Sequence, residues 1–195
     1  MNKPNNYDTT SAGGFTPPAL GGHKCIIKEV KESQSRGGLP MVVMFFDFDD
    51  SDVQPGYFTE QFRDDIRPDK KWPYAGTMYI VTEDHDGNCT RSFKQFTTAF
   101  EKSNNTEIKW GSTFVHQFKN RVIGVVFGEV ENEYNGRITM RHQPRWVCDI
   151  DKADGAEIPK AKMLNGTEID RRAAAVSSND FVNVPEGVDE ELPFA

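Results

Sequence analysis

Apolar and polar residues alternate from His23 to Lys31, with Cys25 and Ile27 on one side and Ile26 and Val30 near the other. Met41-Val42-Val43-Met44-Phe45-Phe46 follows as a strongly β-prone run, after turn residues at Gly37-Gly38 and Pro40. Alternation predicts a strand in the first stretch, because a period of two places successive side chains on opposite faces, and β-propensity predicts one in the second. Residues 47–74 lose the period. They are acidic and turn-rich, and long for a simple loop. Gly76 to Glu83 predicts a third strand, ended by Asp84-His85-Asp86-Gly87-Asn88. The period then lengthens: Phe93, Phe96, Ala99 and Phe100 fall on one helical face, with Ser92 as N-cap and Asn104-Asn105 as stop. Arg121 to Glu133 and Arg137 to Ile150 predict two strands joined around Asn135-Gly136, a strong hairpin signal. Ile158-Pro159-Lys160-Ala161-Lys162 is placed as a short docked edge.

Three strands, a helix and a hairpin, in that order, predict a mainly β protein with an OB-fold. That fold is a five-stranded Greek-key barrel, here with one helix between strands 3 and 4. Three phenylalanines on one helical face suit a barrel plug. A generic α+β sheet with one packed helix has the same pattern and stays open. Residues 1–22, polar and rich in Gly and Pro, read as a flexible N-terminal arm, and 23–165 as the OB-fold domain. Residues 166–195 read as a disordered acidic tail, with too little apolar surface to offset the entropy of ordering.

Charge sharpens this division. The chain of 195 residues carries −7, and from Ala173 onward there are five acids and no Lys or Arg. Subtracting that tail, −7 − (−5) leaves −2 on residues 1–172, so whole-chain acidity does not argue against nucleic-acid binding. No apolar run is long enough to span a membrane, and the N-terminus lacks the apolar stretch of a signal peptide. Three widely spaced cysteines, none in a CxxC pair, fit a reduced cytoplasmic protein.

Binding single strands requires aromatic faces for bases and cations that track phosphates. On an OB barrel these gather on strands 2 and 3 and the neighbouring loops. Strand 2 offers Phe46 and Phe48, strand 3 offers Tyr79, and the loop between offers Tyr57, Trp72 and Tyr74 beside Lys70 and Lys71. Barrel core is the competing role for Phe46, and lid packing the competing role for Trp72 and Tyr74. Lys119, Arg121, Arg137, Arg141 and Arg145 supply cations in the second hairpin, with Tyr134 at its tip as a further stacking candidate. Strict alternation puts Thr139, Arg141, Gln143, Arg145 and Val147 on one face, and Ile138, Met140, His142, Pro144 and Trp146 on the other. An ordinary solvated strand face accounts for the arginines equally well.

Asp47, Asp49, Asp50 and Asp52 raise a metal-dependent nuclease, but no Glu-x-Lys or His arrangement accompanies them and a solvated turn is the expected role. The histidines and cysteines lack zinc spacing. Gly124 and Gly128 sit inside an apolar strand, for a bend or close packing. No catalytic residue, metal site or cofactor is expected.

The chain ends in Asp189-Glu190-Glu191-Leu192-Pro193-Phe194-Ala195. Three carboxylates leading into an apolar hook suit a peptide ligand for a basic pocket with an apolar slot, against a merely solvated acidic terminus. This tip resembles the C-terminal signature of bacterial and phage single-stranded DNA-binding proteins. Arg91-Ser92-Phe93-Lys94-Gln95-Phe96 through Asn104, Trp110, Gly124 to Tyr134 with Asn135-Gly136, Ile158-Pro159-Lys160, and Gly21-Gly22 through Val30 are similar to segments of small phage and prophage proteins of that type. The likeness covers roughly residues 13–165. It implies an OB-fold protein that coats single strands during phage replication or recombination in the host cytoplasm, with residues 189–194 recruiting partner proteins. In the familiar tail Phe is last, whereas here Ala195 follows it. Homo-oligomeric assembly is left open. The rival readings are an OB-fold protein-interaction adaptor without a DNA groove, and the nuclease centred on Asp47–Asp52.

Overall fold

The computed structural model describes residue 3 and residues 16–171. Strand β1 (Gly21–Gln34) pairs antiparallel with β2 (Pro40–Phe48), and β2 with β3 (Thr77–Val81). On its other side β1 pairs with β4 (Val122–Tyr134), which forms an antiparallel hairpin with β5 (Arg137–Cys148). Two short strands follow: β6 (Ala161–Lys162), parallel to β4, and β7 (Glu168–Ile169), antiparallel to β6. The result is one mixed sheet of seven strands. Among the described residues two α-helices accompany it, α1 (Tyr57–Asp64) and α2 (Arg91–Asn104). No helix among the described residues is long and apolar enough to cross a membrane.

Alternation explains the core, once two bulges are counted. Val42, Met44, Phe46 and Phe48 of β2 all point inward at period two. Opposite them in β1 the inward set is Cys25, Ile27 and then Val30, because the register slips between Ile27 and Glu29. Lys28 is the extra residue, and Val30 joins the face that strict alternation denied it. In β5 the slip lies opposite Val126 and Phe127, with Arg145 extra. Val147 therefore shares the inner face with Val125, whereas Pro144 pairs with the core residue Phe127 and Trp146 with Val126 on the other face. The single-face placement of Thr139 through Val147 is thereby corrected.

Helix α2 closes the core from one side, packing on β3, β4 and β5 with Phe93, Phe96, Ala99 and Phe100 buried. Its N-cap is Thr90, whose hydroxyl accepts from Phe93 N at 3.2 Å, rather than Ser92. Asn105, in the left-handed region at φ 46°, ends it where the sequence places the stop. The Asn135-Gly136 turn has positive φ at both residues (51° and 72°), as the tight hairpin requires.

Three expectations change. The expected loop 47–74 contains α1. Order continues past residue 166 into β7, and Arg171 Nη1 reaches Glu129 Oε1 at 2.8 Å. The sheet also does not close into a five-stranded barrel: among the described residues β3 has no ladder with β5. The 3-10 turn Tyr74–Gly76 and residues 16–20 flank β5 there, and Pro144 is tolerated at a bulge in this edge strand.

The α2 face carries much of the core, so Phe96→Ala should destabilise the fold by about 3–5 kcal/mol. A urea titration tests this: the midpoint falls while the slope stays constant. An unchanged midpoint would show that Phe96 is not packed as described.

Candidate functional site

The acidic segment after β2 is held by two of its own carboxylates. Asp47 is fully buried and accepts from Phe48 N (2.9 Å), Phe58 N (2.8 Å), Thr59 N (3.0 Å) and the Thr59 hydroxyl. Lys28 Nζ stands 3.8 Å away. Gly56, which precedes α1 in the left-handed region at φ 66°, has no side chain to cap the helix. Asp47 supplies that cap from the neighbouring strand, and its charge suits the positive end of α1.

Asp52 does similar work. It accepts from Lys24 N (2.9 Å) and Gln54 N (3.1 Å) and lies 2.9 Å from His23 Nδ1. His23 is buried, stacked on Phe48 with centroids 4.0 Å apart and edge-on to Phe127 at 5.3 Å. Its Nε2 donates to Ala19 O at 2.9 Å. Burial pushes the Asp52 carboxyl up, but the bonds from His23 and the backbone outweigh it and bring it below its ordinary 3.8. Asp49 accepts from the Ser51 hydroxyl and N–H, which lower it, and Asp50 is exposed. Among the described residues no group of three or more His, Cys, Asp or Glu is placed to hold a metal ion. Asp47 and Asp52 are internal braces rather than members of a solvated turn.

These braces position one wall of a groove of about 1100 Å³ between α1, the Tyr74–Gly76 turn and β5. Residues 16–19 run along it: Tyr57 Oη donates to Thr16 O (2.8 Å), Gln54 Nε2 to Pro17 O (3.2 Å), and Ala19 N to Gln54 Oε1 (2.7 Å). Burial raises the Tyr57 phenol to about 12. The groove carries Arg67, Lys71 and Arg141 against Glu60, Asp64 and Asp65, so it is electrically balanced. Arg67 is already bound to Asp65 at 2.7 Å, whereas Lys71 and Arg141 form no ion pair among the described residues.

The sequence-predicted aromatics divide. Tyr74 lines the groove, 62% exposed, with its ring 6.1 Å from that of Tyr79, which is 54% exposed. Phe46 and Phe48 are fully buried in the core and present no face to a base, which corrects their placement as stacking residues. Trp72 is a packed lid: its indole N–H donates to Gly76 O (2.9 Å) and its ring lies 5.7 Å from Phe62. A Cβ on Gly76 would come within 2.7 Å of that nitrogen, so the position needs glycine.

The cations divide as well. Lys70 is exposed, donates to Arg63 O (2.9 Å) and lies over the Phe62 ring. Arg145 is only 12% exposed and committed to Glu168 (2.5 Å) and Lys160 O (2.9 Å), fastening β6 and β7 onto β5. It is a structural residue rather than a free phosphate contact. Tyr134 and Arg137 are exposed at the hairpin tip. Lys119 and Arg121 are exposed at the opposite end of β4, where Arg121 O accepts from Ile27 N (2.7 Å). Arg121 stands nine residues before Val130, the partner of Arg141, or roughly 30 Å of strand. These four do not join the groove. Residues 189–194 lie outside the described residues. A second groove, between α2 and β5, holds cations that the sequence reading passed over: Arg91, Lys94, Lys102 and Lys152.

The depressed Asp52 carboxyl fixes the sign of a pH effect. Its charged bonds stabilise the fold in full above the ordinary 3.8 and are lost as pH falls through the lower folded value. Asp52→Asn, 5% exposed in the wild type, should cost about 1.5–3 kcal/mol at pH 7 and flatten the acid limb of the stability curve. An acid limb identical to the wild type's would remove Asp52 from this role.

No family model and no curated protein matches this chain.

Proposed function

We propose that the protein binds single-stranded DNA without sequence preference and protects it during phage replication or recombination, without catalysing a reaction. The carrying observation is the exposed Tyr74–Tyr79 pair beside a groove that also holds Lys71 and Arg141. Single strands offer unpaired base faces to such rings, and each stacked base contributes about 1–3 kcal/mol. The strand order β3-β2-β1-β4-β5, with α2 between β3 and β4, supports an OB-type topology opened between β3 and β5. The acidic C-terminal tip serves, in this reading, to recruit replication or recombination partners through a basic pocket.

A protein-interaction adaptor is favoured instead by the Arg145–Glu168 pair, the buried Phe46 and Phe48, and the balanced charge of the groove. The two part on one titration. Labelled oligo(dT) and duplex of equal length, at two salt concentrations, should show preference for the single strand. Tyr74→Ala and Tyr79→Ala should each weaken it by about 1–3 kcal/mol, and Arg141→Gln should reduce the salt slope by about 0.7. Equal affinity for both forms, or none for either, sinks the proposal. Deleting residues 173–195 removes five negative charges and should tighten binding at low salt. Unchanged or weaker binding would show that the tail does not compete with DNA.

A further inference from the structure

The tyrosine groove reaches β5 at Met140–Gln143, and further along the same strand Trp146–Cys148 border the second groove, of about 740 Å³. Its opposite wall is α2. Arg91, Lys94 and Lys102 stand there at i, i+3 and i+11, one polar stripe about 16 Å long on the face away from the core phenylalanines. Lys152 joins them from the turn after β5, and Asp149 is the one carboxylate in the lining. Four cations against one acid give +3, where the tyrosine groove gives three against three. None of Arg91, Lys94, Lys102 or Lys152 forms an ion pair among the described residues. The floor is half-buried Trp146 with Val147. The walls are tied together, since Gln95 Nε2 donates to Val147 O at 2.8 Å.

Charge and stacking are therefore separated along one strand edge. The exposed tyrosines lie at a groove with no net charge, and the uncompensated cations lie one groove further on. Polyanion affinity comes mainly from neutralised phosphates, so the tyrosine groove alone is poorly equipped for it. We propose that the α2–β5 groove holds the phosphate backbone of a single strand leaving the Tyr74–Tyr79 pair, so that the strand follows β5 through both grooves. This rests on the single-stranded DNA reading and names where that DNA finds its phosphate contacts. Arg141 to Val147 covers roughly 20 Å of strand, or about six nucleotides at a stacked rise near 3.4 Å. That lies within the roughly 4–16 nucleotides typical of one such domain.

The test uses the full chain and two labelled oligo(dT) probes, about 4 and about 16 nucleotides long. Lys94 and Lys102 are exposed, so Lys94→Gln/Lys102→Gln should fold normally. With the long probe this double variant should lower the salt slope by about 1.4, at about 0.7 per lost contact. With the short probe it should change nothing, and Lys94→Arg/Lys102→Arg should keep the wild-type slope. A wild-type slope in the Gln variant, while Tyr74→Ala still weakens both probes, overturns the second groove and leaves the DNA reading standing. Failure of the wild type to bind either probe overturns both. A peptide of residues 186–195 that binds the wild type but not the Gln variant, with the long-probe slope unaltered, would give the groove to an acidic peptide and overturn the inference.

Discussion

A carboxylate taken out of water must be repaid in hydrogen bonds, and Asp47 is repaid by the first turn of α1. Everything on that side of the molecule follows. The bonds join the end of β2 to a helix eleven residues later, so the acidic segment cannot float. Helix α1 then presents Phe58 to the core and Phe62 to Trp72, and the Trp72 lid fixes the turn that carries Tyr74. Asp52 and His23 repeat the device within the same β2–α1 connection, reaching back to Ala19 and across to Phe48. A groove wall that composition alone would assign to a mobile loop is held by buried polar bonds.

Much of the frame was legible in the sequence. Alternation located β1, β-prone runs between turn residues located β2 and β3, period 3.6 located the α2 core face, and Asn135-Gly136 located the hairpin. Bulges were not legible, because an inserted residue such as Lys28 or Arg145 leaves composition unchanged and only reverses which neighbours face inward. Helix α1 escaped because its cap is distant in sequence: Gly56 offers no capping signal, and Asp47 reads as one acid among four. Of the candidate aromatics, Tyr74, from a polar Pro-flanked segment, and Tyr79, from the third strand, are exposed. Phe46 and Phe48 were not separable from core by type alone. The α2 cations carry no signal of their own, because polar residues opposite an apolar stripe read as an ordinary solvated helix face until the strand beside them is known.

That other face meets β5. Packing an amphipathic helix against a sheet buries one stripe and leaves the opposite one beside whatever strand lies at the edge. Here the edge strand turns Trp146 outward through the bulge at Arg145, so one backbone irregularity both fastens β6 and β7 and brings an aromatic to a basic furrow. Side chains committed to architecture and side chains left for a ligand thus alternate along β5 on the scale of single residues.

The short strand β6 has its own consequence. Strand β4 is longer than its pairing with β1, which ends at Phe127 opposite Gly21, and beyond that point β6 takes over at Val130. Two residues, pinned by Arg145 and by the bond from Leu164 N to Glu131, occupy what would otherwise be open backbone donors and acceptors on a long strand. Unpaired strand edges recruit other strands. The segment after β5 thus covers backbone that would otherwise lie open on β4, and losing it would leave an unpaired strand edge rather than merely shorten the protein.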